Sequence, residues 1–443
     1  MSERTVMLFA GQGAYLPGVL SELANTHRAV DHVVRVVDDI AARYGVSPVR
    51  RLLVGADAPA IDQLLREDPD VLQLCVYATT LAAFTAYADV YGVRSDVLLG
   101  HSVGELTALV AAGAFTVGDG ARIVCERGRL LRELAPAGGL LALGLPTDRT
   151  EHLVAALAEP DLAVAAVNAP RQTVVSGTDA ALRRLEEVAN ALDVRHIRLR
   201  SPHMFHNGLL GAVRRRLAEV IADIAVHPMS RRVYSAVHGR FYVDDDDVKA
   251  LVLSGLTRRV DFLGAVRLLQ AHGGDHFVDC GAGGALARLV TESTGSVRTV
   301  SSIERGLSLE EFERQCVLLP GYRSSEHTPT AVRGTAPAPD TVTPPVDQPA
   351  PPAAPAVRLP ERTVLIREIR RMYADAIDVP DDLITDEIDL EADLGVDSLT
   401  QNRLLAQIAI RYGLVDALAD VRTSQYTTLP EVADLVGRLA GER

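Results

Sequence analysis

Short apolar runs, each followed by glycine or a polar turn, recur along the first three quarters of the chain. Such runs are typical of buried strands, whereas apolar residues spaced three and four apart are typical of helices that pack on a sheet. The pattern predicts strands at residues 5–10, 97–99, 233–237 and 276–280. It predicts helices at residues 70–87, 106–112, 119–134 and 285–294. Strands that alternate with helices indicate an α/β fold.

Residues 138–203 follow a different order of elements. Apolar runs predict strands at 140–145, 162–167, 172–177 and 194–199, with a helix at 179–192. With a further helix between the first two strands, the order is strand, helix, strand, strand, helix, strand, which is that of a ferredoxin-like unit. We therefore expect a small ferredoxin-like subdomain inserted in the larger α/β layer.

The composition changes after residue 322. Residues 323–360 are rich in Pro, Ala and Thr and lack apolar periodicity, which is typical of an interdomain linker. Residues 361–443 predict amphipathic helices at 364–376, 398–412 and 429–439, with 17 acidic against 9 basic residues. The expected organisation is an α/β domain over 1–322, a linker, and an all-α helical-bundle domain over 361–443.

The turn at Ser102 carries the clearest candidate chemistry. Ser102 lies between Gly100 and Gly104, after a predicted strand and before a helix that Gly113 closes. This is the context of a nucleophile elbow, in which a strained turn presents a serine at a helix N-terminus. Backbone N–H groups at that end can stabilise an oxyanion. The alternative is a serine that only caps the helix.

One arginine falls on the apolar face of the helix at 119–134. Arg127 shares the stripe of Ile123 and Leu130, whereas Arg129 and Arg132 lie off it. An inward guanidinium without an anionic partner would be costly. Periodicity leaves two partners open, namely a structural carboxylate and a substrate carboxylate held by two hydrogen bonds.

Two further turns are candidate ligand sites. The loop Gly11-Gln12-Gly13 follows the first strand but lacks the third glycine of a dinucleotide fingerprint, so we expect a cofactor-free loop beside the site. Ser398 follows an acidic turn at the start of a predicted helix. It is either a simple N-cap or the carrier of a phosphate ester, which the helix dipole would favour.

Composition and charge exclude several classes of function. The net charge of −13 argues against partners such as nucleic acid or an anionic membrane. No apolar run is expected to reach membrane-spanning length, and no basic leader opens the sequence, so we expect a cytoplasmic protein. The four cysteines lack zinc spacing, and His203 and His206 have no third ligand nearby, so no metal is expected.

Taken together, the motifs resemble those of the malonyl-CoA:acyl-carrier-protein transacylase family, which includes the acyltransferase domains of polyketide synthases. The matching motifs are Gly11-Gln12-Gly13, Gly100-His101-Ser102-Val103-Gly104-Glu105, Arg127-Gly128, Asn168-Ala169-Pro170 and His203-Met204-Phe205-His206. Residues 361–443 resemble an acyl carrier protein. The resemblance implies an α/β-hydrolase-like large subdomain around the ferredoxin-like insert.

The resemblance also implies a role for each matching residue. Ser102 would be the nucleophile and His206 the general base, with oxyanion N–H groups from Gln12 and Val103. Arg127 would bind the malonyl carboxylate, and a carbonyl near residues 255–257 would orient the histidine. The further substrate-site candidates are His101, Gln73, Asn168, His203 and Phe205. Among these, Phe205 favours malonyl over methylmalonyl by crowding the α carbon.

The implied function is transfer of a malonyl group from CoA, through acyl-Ser102, to the thiol of 4′-phosphopantetheine on Ser398 or on a carrier in trans. The implied partners are malonyl-CoA, an acyl carrier protein, a phosphopantetheinyl transferase and a downstream ketosynthase in polyketide or fatty-acid-type biosynthesis. Two other functions remain open. One is a hydrolase that clears acyl groups from carriers, and the other is a docking scaffold in which only the carrier is used.

Overall fold

The computed structural model describes residues 4–11, 13–55, 58–61, 63–64, 68–201, 203–295, 297–301 and 303–323 of the first part of the chain. In the second part it describes 360–377, 428–441 and positions 381, 384–386, 388, 390, 401, 404–405, 408, 411–412, 414 and 426. Two compact units result, Met1–Arg323 and Ser324–Arg443.

The first unit contains both strands and helices. Its strands are β1 (Arg4–Phe9), β2 (Val97–Gly100), β3 (Gly138–Leu143), β4 (Ala163–Ala169), β5 (Gln172–Thr178), β6 (His196–Arg198), β7 (Arg232–Ser235), β8 (Arg240–Phe241), β9 (Val260–Asp261), β10 (Gly274–Asp279) and β11 (Arg298–Ser301). Its helices are α1 (Ser21–Thr26), α2 (Arg28–Arg43), α3 (Val49–Leu53), α4 (Pro69–Phe84), α5 (Gly104–Ala112), α6 (Val117–Leu134), α7 (Thr147–Leu157), α8 (Asp179–Ala191), α9 (Gly211–Val220), α10 (Val248–Ser254), α11 (Phe262–Ala271), α12 (Ala285–Thr294) and α13 (Leu309–Val317).

The large subdomain is built on a six-stranded sheet. Its strand order is β11-β10-β1-β2-β7-β8, parallel throughout except for the antiparallel pair of β7 and β8. Alternate residues of β1 enter opposite cores, with Met7 and Phe9 on one face and Val6 and Leu8 on the other. The α/β prediction is confirmed, and β2 delivers the turn at Ser102 from the middle of the sheet.

The small subdomain has the strand order β6-β3-β5-β4 with antiparallel neighbours, as expected for a ferredoxin-like unit. The sequence did not predict its fifth strand. Residues 260–261 form β9, which pairs in parallel with β4. Two residues are too short to give an apolar pattern, so only the tertiary pairing reveals this strand.

One helix is more apolar than the sequence analysis expected. Residues Asp70–Val90, which include most of α4 and the π-helical turn Thr85–Val90, are long and apolar enough to span a membrane. Of this apolar segment, 94% is buried inside the unit, where α4 packs against α2, α5 and α6. The stretch is therefore the core helix of a folded domain, and the expectation that no run reaches such length was wrong.

In the second unit, the structure describes α14 (Arg362–Ile377) and α15 (Leu429–Gly441), which pack against each other. Their shared core includes Ile369, Tyr373, Val432 and Val436. Ser398 and most of the helix predicted at 398–412 lie outside the described residues.

Candidate active site

The turn between β2 and α5 holds Ser102 in a strained conformation. Its φ is +57°, a left-handed value that residues with a side chain rarely adopt. The turn requires glycine on both sides of Ser102, because a side chain at either position would clash with the backbone. A Cβ on Gly100 would lie 2.2 Å from the Glu105 nitrogen, and one on Gly104 would lie 1.9 Å from the Phe9 carbonyl oxygen. The nucleophile elbow predicted from the sequence therefore has the expected geometry.

His206 lies directly against this serine. Its Nε2 is 2.8 Å from Ser102 Oγ, and its Nδ1 lies 2.6 Å from the Gly255 carbonyl oxygen and 3.0 Å from that of Arg258. Because both carbonyls only accept, Nδ1 carries the proton and Nε2 is free to take one from Ser102. His206 also has a left-handed backbone, with φ of +60°. The expected orienting carbonyl is thus a pair, Gly255 within the expected stretch and Arg258 just beyond it.

The site keeps this histidine neutral. Burial, together with charge repulsion from the nearby His101 and Arg127, lowers the pKa of His206 to about 3. Across the physiological range the imidazole therefore remains in the neutral form that a general base requires.

Arg127 lies in the same cleft, with only 8% of its surface exposed. Among the described residues no carboxylate pairs with it, and its Nη1 donates a hydrogen bond to Gln73 Oε1. Burial lowers the pKa of Arg127 to about 10, so the guanidinium is still charged at neutral pH. Of the two partners that the sequence left open, a structural acid is absent from the described part of the chain. An amide satisfies one N–H without neutralising the charge.

Phe205 and His203 lie beside the guanidinium. The Arg127 Cζ is 4.5 Å from the centre of the Phe205 ring, in a cation–π contact, and Phe205 is only 2% exposed. His203 packs edge-on against the same ring at 5.7 Å. Burial, together with the charges of the nearby Arg127 and Arg132, lowers the pKa of His203 to about 4, so its ring is neutral at neutral pH. The Phe205 ring thus packs against the Arg127 guanidinium.

His101 joins the elbow to the small subdomain. Its Nε2 is 2.8 Å from Asn168 Oδ1, and Asn168 Nδ2 donates to Gln172 Oε1 at 3.0 Å. The Gln172 contact was missed by sequence reasoning. Asn168 and Gln172 are brought together by the hairpin between β4 and β5, and their spacing of four residues across a predicted turn was the available signal.

The cleft itself holds about 470 Å³ of space, including its open mouth. Its polar lining comes from Ser102, Arg127, His206 and Glu105, and most of the remaining wall is aliphatic. The Val103 N–H donates to no acceptor among the described residues, which leaves it free for an oxyanion. Gln12, the other expected donor, lies outside the described residues.

Comparisons with known proteins agree with this geometry. Residues 6–304 match the acyl transferase domain family, and residues 367–436 match the phosphopantetheine attachment site family. The first match covers well over half of the chain, so this chain belongs to the acyl transferase domain family and carries a carrier domain after it. The second match implies covalently bound 4′-phosphopantetheine as the cofactor.

Individual relatives point the same way. A phenolphthiocerol synthesis type I polyketide synthase of Mycobacterium marinum is 28% identical over 299 residues, which are 67% of this chain and 14% of that protein. The loading acyltransferase of the avermectin modular polyketide synthase superposes with a TM-score of 0.64 at 28% identity, covering 71% of this chain and 98% of that one. A malonyl CoA-acyl carrier protein transacylase of Clostridium perfringens gives 0.62 at 25% identity, covering 70% and 95%. This chain thus spans about one seventh of the Mycobacterium marinum synthase.

Proposed function

We propose that the first unit transfers a malonyl group, or a closely related dicarboxylic acyl group, from CoA to a carrier-bound thiol. One observation carries the substrate assignment. Arg127 is buried and charged, shares a cleft with the Ser102–His206 pair, and has a neutral amide where a structural arginine would have an acid. A substrate carboxylate supplies the missing charge, so the site favours diacid thioesters over simple acyl thioesters.

Our proposed sequence of steps starts with attack by Ser102 Oγ on the thioester carbonyl carbon while His206 Nε2 accepts the hydroxyl proton. The Gly255 and Arg258 carbonyls hold the resulting imidazolium through its Nδ1–H. The free N–H of Val103 binds the oxyanion, to which we also assign the Gln12 N–H. As the carbon–sulfur bond breaks, His206 returns the proton to the sulfur and CoA leaves as the free thiol.

We propose domain bounds of 1–322 for the acyltransferase, with its small subdomain at 138–203, and 361–443 for the carrier. In the second half of the reaction, the acyl group passes from Ser102 to the carrier. The phosphopantetheine on a carrier supplies the thiol that accepts the acyl group, and Ser398 is our candidate attachment residue. His206 then acts as base for the incoming thiol and as acid toward Ser102 Oγ. His101, Gln73, Asn168, His203 and Phe205 shape the acyl site. We place malonyl above methylmalonyl and retain crowding by Phe205 as the proposed reason.

We propose a cytoplasmic setting for this chain, as expected from its sequence, and further partners of the kind a polyketide synthase would need. We propose a phosphopantetheinyl transferase that modifies the carrier and a ketosynthase that consumes the loaded unit. The acceptor is a carrier that bears this thiol, either this chain's own second unit or a carrier supplied in trans. An all-α helical bundle is the fold we propose for the second unit, to which α14 and α15 contribute.

Substitution of Arg127 tests the substrate assignment. We expect Arg127→Ala to slow formation of malonyl-Ser102 by about 100-fold, the order of effect found when one partner of a buried charge pair is lost. Acetyl-CoA lacks the carboxylate, so its slow loading should be unchanged or faster. Intact-protein mass spectrometry after incubation with malonyl-, methylmalonyl- and acetyl-CoA measures all three.

Arg129→Ala is the matched control, because Arg129 lies on the same helix and pairs with Glu126 and Glu133 at the surface. Equal losses for malonyl and acetyl loading in Arg127→Ala would contradict the assignment. Release of free malonate in place of malonyl-carrier would instead favour the hydrolase.

A further inference from the structure

The geometry points to a hydrogen-bonded relay of Glu105, Ser235, His238 and Ser254 that sets the position of His206 relative to Ser102. We call this set the positioning relay. It connects the helix that begins at the nucleophile to the turn that orients the base. None of its members touches the reacting atoms, so each is a positioning residue. The inference rests on the proposed roles of Ser102 and His206.

The relay begins three residues after the nucleophile. Glu105 lies in the first turn of α5 and is 3% exposed, and its Oε1 accepts hydrogen bonds from Ser235 Oγ and from the Tyr242 hydroxyl, both at 2.6 Å. Its Oε2 is buried with no hydrogen-bond partner among the described residues. A carboxyl group is costly to bury in this way. Its two hydrogen bonds tie α5 to the end of β7 at Ser235 and to Tyr242, which follows β8.

The middle of the relay runs through His238. Ser235 Oγ gives its proton to Glu105 and accepts the backbone N–H of His238 at 3.1 Å. His238 Nε2 lies 3.0 Å from Ser254 Oγ, which itself donates to the Leu251 carbonyl at 2.7 Å. Since that hydroxyl has used its one proton, His238 Nε2 is the donor to Ser254. Burial also lowers the pKa of His238.

The relay ends at the turn that holds the base. Ser254 is the last residue of α10, and its carbonyl accepts the N–H groups of Thr257 and Arg258 at 3.0 and 3.1 Å. The next carbonyl along the chain, that of Gly255, and the carbonyl of Arg258 are the two that bind His206 Nδ1. A shift of Ser254 therefore moves both acceptors of His206 at once.

Other charged and titratable groups near the relay have partners of their own. Tyr242 donates to Glu105, and Arg240 pairs with Asp246 beyond it. Arg127 on α6 and His206 lie along the cleft. The relay is thus the hydrogen-bonded route that the described residues provide from α5 to the turn at 255–258.

The test measures activation of Ser102 without using an acyl substrate. A small fluorophosphonate phosphonylates an activated serine and releases fluoride, so its second-order rate constant with the full chain reports on the Ser102–His206 pair. We expect Ser254→Ala and Glu105→Leu to slow labelling about tenfold, because a small misplacement of reacting groups is costly. Glu105→Gln keeps an acceptor oxygen for both donors and should restore the wild-type rate to within about twofold.

Ser230→Ala is the matched control. Ser230 Oγ donates to the Ala112 carbonyl at 3.0 Å, so it also joins α5 to the approach to β7, but at the end of the helix remote from the turn. For malonyl-CoA, the relay variants should lower kcat and leave KM unchanged. Labelling of folded Ser254→Ala and Glu105→Leu as fast as Ser230→Ala would overturn the relay, as would a loss confined to KM. If the fluorophosphonate labels the wild-type chain but the chain transfers no malonyl group, the proposed substrate is contradicted and the relay is not, because labelling alone tests the relay.

Discussion

At the scale of single residues, the electrostatics of the cleft connect Arg127 to His206. Burial is the largest cause of the low pKa of His206, and the positive charge of Arg127 adds to it. If a substrate carboxylate pairs with Arg127 as proposed, it cancels this charge, and we expect the pKa of His206 to rise when a diacid thioester binds. We therefore expect recognition of a diacid substrate to make His206 a stronger base, and a substrate without a carboxylate to leave its pKa unchanged.

This coupling predicts two different acid limbs in the pH profile of malonyl transfer. The limb of kcat/KM reports the free enzyme and should lie near pH 3, whereas that of kcat reports the bound complex and should lie at a higher pH. A histidine of ordinary pKa would cost about thirtyfold in kcat/KM at pH 5, and we expect no such loss. Malonyl-pantetheine is the substrate of choice, since it lacks the CoA phosphates that titrate near pH 6. Coincident limbs at any pH would contradict the coupling, and a kcat/KM limb near pH 6.5 would contradict the low pKa of His206 in the free enzyme.

The residue scale also shows what a sequence can and cannot reveal about a site. Arg127 was predictable as an inward cation because its position on a helical stripe is fixed by periodicity. Its partner Gln73 lies on another helix, and only tertiary packing brings the two together. The carbonyls of Gly255 and Arg258 were harder still, because every residue has a carbonyl and only its direction makes it functional.

At the scale of elements, the crossing of α5 over β1 depends on the absence of a side chain at Gly104. Because a Cβ there would lie 1.9 Å from the Phe9 oxygen and 2.6 Å from its carbon, both backbone atoms, Gly104→Ala must push the helix from the sheet. We expect a loss of about 1–3 kcal/mol or more in unfolding free energy, as for other overpacked sites, together with loss of acyl-Ser102 formation. Thermal unfolding and intact-protein mass spectrometry provide the two measurements.

Gly118→Ala in α6 is the control for that variant. A Cβ there meets nothing closer than Val36 Cγ1 at 3.8 Å, so the added methyl fits and the higher helix propensity of alanine should stabilise the chain slightly. A Gly104→Ala protein as stable and as active as Gly118→Ala would show that the tight crossing is not required.

Elements were predictable where one apolar run was long enough to define them. β1, β2 and the strands of the small subdomain gave such runs, and the elbow added the turn between strand and helix. β8 and β9 have two residues each, and the π-helical turn Thr85–Val90 continues the apolar pattern of α4 without a break. Their existence depends on pairing and packing between distant segments, which a linear pattern does not record.

At the scale of the whole molecule, an acyl transferase domain and a carrier domain share one chain. Composition alone predicts that residues 323–360 are a spacer, which would extend to roughly 100 Å as polyproline helix and average 30 to 40 Å as a coil. A tether of that length would give the carrier an effective concentration of about a millimolar, above ordinary protein concentrations in solution. Loading of the carrier by its own transferase should then be favoured over loading between molecules.

Dilution tests this prediction directly. We expect the first-order transfer from malonyl-Ser102 to the carrier of the phosphopantetheinylated chain to keep the same rate constant over about a hundredfold dilution, because the tether fixes the local concentration. A mixture of Ser102→Ala and Ser398→Ala chains permits transfer only between molecules, so its rate should fall in proportion to concentration. Quenched-flow samples analysed by intact-protein mass spectrometry give both rates. If the wild-type rate falls with dilution as the mixture does, the two units act on separate partners, and the tether has another purpose.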